Sequence, residues 1–434
     1  MVLSNARPLA LIVFSVLLVA LSASAQESNI YVQCPLSTLL HPQTPAQVTE
    51  GTRADGIICG HLVAGDGMVT MADDVDPDGV GPRGKQLYIF SFAELPDGGP
   101  AENTPEYAGW VMDQGLLAAN APAPTISVDE DDEFFLTLTN VGMAMRPDLF
   151  DPHTIHWHGF PQASAIFDGV PDASISVNMA ASLTYYYNAK DAGTYMYHCH
   201  VEAAEHMQMG MLGNLDVRPR QNRCDTLDNN TAIPGTVCPT AGHVAGVSKY
   251  AYNDGDGSTR YDVEYPIQIG SFDPDFHDAS LNVQPLPFSG MRDRYFLLNG
   301  RGYPDTVNPD PLSTTDPLDK LQESQPVSSL IEANAGQRIL IRISNLSVTN
   351  FYTLGTNGLT MDVVGLDARL LRDGAGNNMN YQTNSLTLGG GQSADVIITA
   401  PATAGTYFLY TKNLHQLAND AENFGGMMTE IHVQ

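Results

Sequence analysis

The chain has 434 residues, is 43% apolar, and carries 20 basic against 49 acidic side chains, for a formal net charge of -29. That apolar content excludes a disordered chain, and the length suits two or three domains. The acidic excess excludes nucleic acid and anionic lipid as partners.

Residues 1–25 place Arg7 before an apolar run from Leu9 to Leu21, followed by the small residues Ala23 and Ala25. This pattern predicts an export signal cleaved after Ala25, and so a secreted or periplasmic protein. Losing Arg7 leaves 19 basic and 49 acidic residues, a mature charge near -30 (19 - 49). No apolar run is long enough for a membrane span.

Residues 26–104 are expected to form an N-terminal extension and the first strands of domain 1, with no clear pattern before about residue 65. The acidic runs 73–78 and 129–133 read as solvated loops. Short β-rich runs bounded by Gly, Pro, Asn and Asp follow, among them 86–92, 134–139 and 337–343. Long amphipathic helical patterns are absent, which predicts an all-β fold of sandwiches or barrels. A first barrel is expected over 105–220, a linker over 221–260, and a second barrel over 261–434. The two are related by a weak repeat: Gly193-Thr-Tyr-Met-Tyr-His-Cys-His aligns with Gly405-Thr-Tyr-Phe-Leu-Tyr-Thr-Lys.

Cysteines stand at 34, 59, 199, 224 and 238. In an oxidising compartment short-range pairing favours Cys34 with Cys59 and Cys224 with Cys238, although spacing does not fix connectivity. Cys199 is then left over, flanked by His198 and His200, where a thiolate is kept for a metal.

Two segments carry the chemistry: His153-Thr-Ile-His156-Trp-His158-Gly159, and His198-Cys199-His200 with His206 and Met211 downstream. Strand alternation turns His156 and His158 one way and His153 the other; His198 and His200 likewise oppose Cys199. One face gathers His153, Cys199, His206 and Met211, two imidazoles, a thiolate and a thioether, the donor set of blue copper. Zinc is the competing metal, but it has no use for the methionine. The other face gathers His156, His158, His198 and His200, four imidazoles that suit copper, zinc or non-haem iron by ligand type, with copper, as a second histidine-ligated site, favoured by the site adjacent to it. Met207 and Met209 read as packing or as an outer methionine patch.

These motifs resemble the multicopper oxidase family, whose His-Trp-His-Gly and His-Cys-His signatures match 156–159 and 198–211, with five residues between His200 and His206 where three are usual. Asp168-Gly169-Val170-Pro171 and Asn299-Gly300-Arg301 add to the likeness. It implies two cupredoxin-like Greek-key domains. It also implies type 1 copper at His153, Cys199, His206 and Met211, an oxygen-reducing cluster at His156, His158, His198 and His200, and Asp168 as a proton-delivering acid. Asp168 reads equally well as a turn residue. The family's cluster uses four His-x-His pairs and this chain has two; Gly355 with Asn357, and the segment 410–413, stand where the others are expected.

The copper nitrite reductases are similar too, with His158 and His198 matched, His415 a candidate third ligand, and His156 where that family has an aspartate. The two-barrel resemblance implies a homotrimer. The expected function is copper-dependent oxidoreduction: a small-molecule or protein donor reduces type 1 copper, and the histidine-rich site reduces an oxidant such as oxygen. Nitrite reduction, or a periplasmic electron-transfer or copper-binding role, are the alternatives.

Overall fold

A computed structural model describes residues 30–73, 84–224, 248–315 and 321–434. The export signal, Cys238 and most of the acidic run 73–78 lie outside the described residues.

The first barrel contains β1 (Ile57–Thr70), β2 (Gln86–Glu94), β3 (Ala123–Asp129), β4 (Glu133–Gly142), β5 (His156–His158), β6 (Ser182–Asn188), β7 (Gly193–His198) and β8 (Leu212–Arg218). These form two facing sheets, β2-β1-β4-β6 and β3-β8-β7-β5. Between them lies an aromatic core in which Trp157 stacks on Tyr187 at 3.8 Å. Three helices decorate it: α1 (Pro45–Glu50), α2 (Pro105–Gly115) and α3 (Ala203–Gln208). A short hairpin of β9 (Lys249–Tyr250) and β10 (Arg260–Tyr261) leads into the second barrel.

The second barrel contains β11 (Val263–Phe272), α4 (Pro274–Leu281), β12 (Tyr295–Leu298), β13 (Leu312–Thr315), β14 (Leu321–Gln325), β15 (Ile331–Ala333), β16 (Arg338–Asn345) and β17 (Tyr352–Thr356). It continues with β18 (Met361–Leu366), β19 (Arg369–Leu370), β20 (Tyr381–Thr383), β21 (Ser385–Leu388), β22 (Gln392–Thr399), β23 (Gly405–Thr411) and β24 (Met428–Val433). The order β12-β11-β16-β22 repeats β2-β1-β4-β6, and β15-β24-β23-β17 repeats β3-β8-β7-β5. Pairing directions repeat as well: β1 with β4 and β11 with β16 are parallel, as are β3 with β8 and β15 with β24. The repeat seen in one aligned octapeptide therefore extends through both sheets.

Three expectations need correction. Residues 57–65 are not patternless extension but most of β1, a strand central to its sheet. Gly60, Gly65 and Gly67 hide it from a propensity reading, yet a Cβ on Gly65 would lie 2.8 Å from Val141 Cγ2. The buried Asp66 in the same strand is satisfied by the N–H groups of Ala144 and Met145 and the Tyr88 hydroxyl.

Second, the acidic run 129–133 is no solvated loop: Glu130, Asp132 and Glu133 are buried. Arginines at the end of β8 and just beyond it neutralise much of it, with Arg218 on Asp129 at 2.7 Å, Arg220 on Glu130 at 2.9 Å and Arg223 on Asp131 at 3.1 Å.

Third, the described part of 221–260 is built structure. Ala251, Tyr252 and Tyr261 pack on Leu340, Val364 and Ile397, while Asn253 donates to Glu130 Oε2 at 2.6 Å. Cys34 and Cys59 form a disulfide, and Cys224 is also disulfide-bonded.

Arg301, fully buried, donates to the carbonyls of Asp305, Asn308, Asp310 and Gln325, and so fastens the loop entering β13 and β14. The barrels meet across a buried polar junction. Thr194 of β7 donates to Asp395 Oδ1 of β22 at 2.5 Å, and Arg342 of β16 pairs with both Asp395 and Glu264. Asp216 of β8 is buried beside this junction with its Oδ1 unpartnered, and burial pushes its carboxyl up to about 7. Between pH about 4 and 7 the folded chain thus holds a proton that the unfolded chain has lost, so this group makes stability fall as pH rises. Asp216→Asn is expected to flatten the fall in urea midpoint from pH 5 to pH 8 relative to wild type. Parallel pH profiles for the two proteins would reject the assignment.

Candidate metal centre

The first motif is extended but not one continuous strand. β5 covers only His156–His158, and His153 makes a separate bridge, exchanging hydrogen bonds with Val177 at 3.0 and 2.8 Å. Asn140 donates to the carbonyls of Asp151 and Val177 and so pins both sides of that bridge. On the partner strand, β7 ends at His198, and the Cys199 N–H donates to the Met211 carbonyl at 3.2 Å. The Met211 N–H in turn donates to the His206 carbonyl at 2.8 Å, which folds α3 and its loop back over the thiol.

These constraints bring His153 Nδ1 to 3.8 Å and His206 Nδ1 to 3.2 Å from Cys199 Sγ. One donor atom from each of the three lies within 4.8 Å of the other two. All three residues and Met211 are fully buried, and Cys199 is the free cysteine among the described residues. Met209 joins the same core, whereas Met207 is half-buried against Met196, Leu212 and Leu346.

Burial sets the charge state. His206 is lowered to about 4, His153 is lowered well below the usual imidazole range by burial and then by the neighbouring His206, and the Cys199 thiol is pushed up to about 11. The imidazoles are therefore neutral with lone pairs available. His153 Nε2 and His206 Nε2 have no hydrogen-bond partner. The pocket is built around the two Nδ1 atoms and the sulfur, a donor set that fits a soft transition metal whose charge would favour the thiolate.

Behind this pocket the four other motif histidines converge. β5 pairs with β7 so that His156 lies opposite His198, with ring centroids 5.2 Å apart. His156 stands 5.0 Å from His200 and 6.0 Å from His158, and His198 stands 5.5 Å from His200. Two tautomers follow from the acceptors. His156 Nδ1 faces the Asp168 carbonyl at 2.5 Å and His198 Nδ1 faces the Cys199 carbonyl at 2.8 Å. A carbonyl only accepts, so each Nδ1 carries the proton and each Nε2 is left as a ligand atom. His198 is lowered to about 3 by burial.

Asp168 touches His156 through its carbonyl, with its Oδ1 at 3.6 Å from the same Nδ1 and the side chain one-third exposed. Its turn is also required: Gly169 has φ +78°, and a Cβ there would collide with the Ile155 carbonyl. His415 lies exposed in a 3-10 turn of the second barrel, its ring 5.9 Å from Phe296.

The second barrel repeats the backbone of this centre with other side chains. The Thr411 N–H donates to the Met427 carbonyl and the Met427 N–H to the Gln416 carbonyl, reproducing the Cys199, Met211 and His206 linkage. Gly355 lies opposite Tyr410 where His156 lies opposite His198. The Lys412 stem fills the space against Gly355, and its ammonium lies 3.2 Å from the Tyr410 hydroxyl. Thr411 donates to Gln416 Oε1 at 2.5 Å, closing the place of the thiolate and its imidazole with a neutral hydrogen bond.

Several residues near the centre were not singled out by sequence. Asp151, Glu202 and Glu205 line a cavity of about 350 Å3 with Arg146 and Leu286. Asp151 Oδ2 is 3.9 Å from His206 Nε2, and burial, with the charges of Glu202 and Asp151, pushes Glu205 up to about 7. They flank His153 and His206 in the chain, and that proximity was the available signal. On the other side, His158 and His198 open onto a cavity of about 360 Å3 walled by residues 346–351 and Gly390–Gly391 of the second barrel. A Cβ on Gly391, which has φ +87°, would lie 2.8 Å from His158 Cε1.

Family profiles described as multicopper oxidase match residues 110–222 and 287–431. Multicopper oxidase MCE of Talaromyces pinophilus is 31% identical over 116 residues, 26% of this chain and 18% of that protein. A laccase of Phlebia radiata is 23% identical over 302 residues, 68% of this chain and 46% of that protein. The chain thus spans less than half the length of these two curated relatives. Among solved structures, a blue copper oxidase from Nitrosomonas europaea aligns at TM-score 0.57 with 21% identity, over 87% of this chain and 86% of that one. The multicopper oxidase mgLAC aligns at TM-score 0.58 with 18% identity and the same coverage. At such identities the structures speak for the fold alone, two cupredoxin-like barrels. With a profile on each barrel, together covering more than half of its residues, the chain belongs to the multicopper oxidase family.

Proposed function

We propose that the protein is a secreted copper-dependent oxidoreductase that takes electrons from a reductant near His206 and delivers them to an oxidant such as oxygen at the His156, His158, His198 and His200 cluster. The observation that carries this reading is the back-to-back placement of the two donor sets, with Cys199 Sγ between two Nδ1 atoms and its backbone continuous with two histidines of the other set. Copper bound in the two pockets would supply one-electron redox chemistry. His153, Cys199, His206 and Met211 would hold the type 1 ion, and the buried, rigid pocket resists rearrangement between oxidation states.

The chain's residues provide the rest. The covalent path from Cys199 to His198 and His200 spans few bonds, which favours rapid transfer between the sites. Asp151, Glu202 and Glu205, with Arg146 among them, give the cavity beside His206 a net acidic lining, suited to a cationic donor or to a phenol that must lose a proton. Asp168, one-third exposed and bonded through its carbonyl to His156, would bring protons to the cluster. Export rests on the pattern of residues 1–25, and assembly as a homotrimer rests on the two-barrel resemblance. The nitrite-reducing alternative is disfavoured by His156 in the place of an acid.

Copper per chain, with optical and paramagnetic resonance spectra, tests the reading. Two or more ions, with a normal cupric signal beside the blue one, are expected; one ion with only the blue signal would reduce the protein to a carrier. Cys199→Ser is expected to abolish the intense visible band, and survival of that band overturns the ligand set.

Gly391→Ala is expected to lower only the normal cupric signal, because its Cβ meets His158 and no residue of the thiolate pocket. Equal loss of both signals would show that the two pockets are not separable in this way.

A further inference from the structure

The loop between His206 and Met211 is held from outside its own barrel. Gln208 is 1% exposed, and both ends of its amide are taken by the second barrel. Its Nε2 donates to Asp293 Oδ1 at 2.9 Å, and its Oε1 accepts the Asp273 N–H at 3.3 Å. Asp293 is itself buried, and its other oxygen accepts hydrogen bonds from Ser271 Oγ at 2.7 Å, from Tyr352 at 3.5 Å and from the Thr349 hydroxyl. Thr349 belongs to the wall of the cavity onto which His158 and His198 open. One buried carboxylate thus touches the loop of the thiolate pocket on one side and the cavity wall of the histidine cluster on the other. A buried carboxylate with four donors is a rigid junction, since each lost partner leaves desolvated charge.

We infer that Asp293 is a positioning residue that couples the two metal pockets, acting through Gln208 on the loop bearing His206 and Met211 and through Thr349 on the cavity at His158 and His198. This rests on the reading of Cys199 as a copper ligand. It gives the second barrel a role although its own counterpart of the centre carries no ligand set. Groups that orient a ligand from outside typically change metal affinity about 10–100-fold when removed.

The test uses the copper-loaded full-length chain with Asp293→Asn, Gln208→Leu and Thr349→Val, each checked for native circular dichroism. The readouts are the hyperfine splitting of the blue signal, its midpoint potential, and copper release to a chelator. Asp293→Asn and Gln208→Leu are expected to shift splitting and potential in the same direction and to release copper about tenfold faster. The double variant is expected to do no more than the stronger single one, because both break one linkage. Thr349→Val, on the far side of Asp293, is expected to shift the blue signal in the same sense, which a purely local packing role would not do. If Asp293→Asn fails to fold, the other two variants carry the test. A wild-type blue signal that stays unmoved in the folded variants, or additive effects in the double variant, overturns the coupling alone. A wild-type chain with no blue signal overturns the copper reading and the coupling with it.

Discussion

The hydrogen bond from the Cys199 N–H to the Met211 carbonyl fixes where everything else in the centre can be. It closes the hairpin between β7 and β8 around α3, so that a loop carrying His206 must fold over the sulfur. Cys199 is then presented to one pocket while its sequence neighbours, His198 and His200, are presented to the other. With β5 paired to β7, His156 and His158 have only one side on which to stand. Two back-to-back groups of donor side chains thus follow from one hairpin and one strand pairing.

The second barrel shows that this backbone does not depend on the ligands. The Thr411 N–H to Met427 carbonyl bond has the same place in the hairpin, and Met427 bonds back to Gln416 as Met211 does to His206. What differs is how the interior is satisfied. A thiol and two imidazoles that leave two Nε2 atoms without partners are replaced by a hydroxyl and an amide that satisfy each other. Orphaned buried polar atoms carry a cost on the order of 1–3 kcal/mol each. The first barrel bears that cost at the Nε2 atoms of the two imidazoles whose Nδ1 atoms face the sulfur, and the second has removed it.

Much of this was legible in the sequence because, within each motif, side chains two to twelve residues apart in the chain are also neighbours in space. The histidine and cysteine sets, the all-β class and the internal repeat all depend on local spacing. The alternation argument rests on an imperfect premise: His153 and His156 lie on separate extended pieces, and the Val177 bridge, not a continuous strand, orients His153. β1 was missed because glycines and a buried aspartate mimic a loop, although close approach of Val141 and two backbone donors call for them. The run 129–133 was misread because its arginine partners lie about ninety residues later in the chain. Asp293 and Gly391 carry no local signal; their importance exists only once the barrels are docked.

That docking explains why a barrel without ligands contacts the centre so closely. A cluster of four half-buried to buried histidines open to bulk water would keep competing water ligands and would let its rings turn. Gly391 and residues 346–351 cover His158 and His198, and Gly391 can do so only because it has no Cβ. The Arg342, Asp395 and Thr194 junction then holds β22, and with it Gly391 one residue before that strand, against β7. The polar junction is costly to bury, and an apolar interface of the same size would be at least as stable. Its directional bonds fix the register between barrels, and register is what the cover over His158 requires.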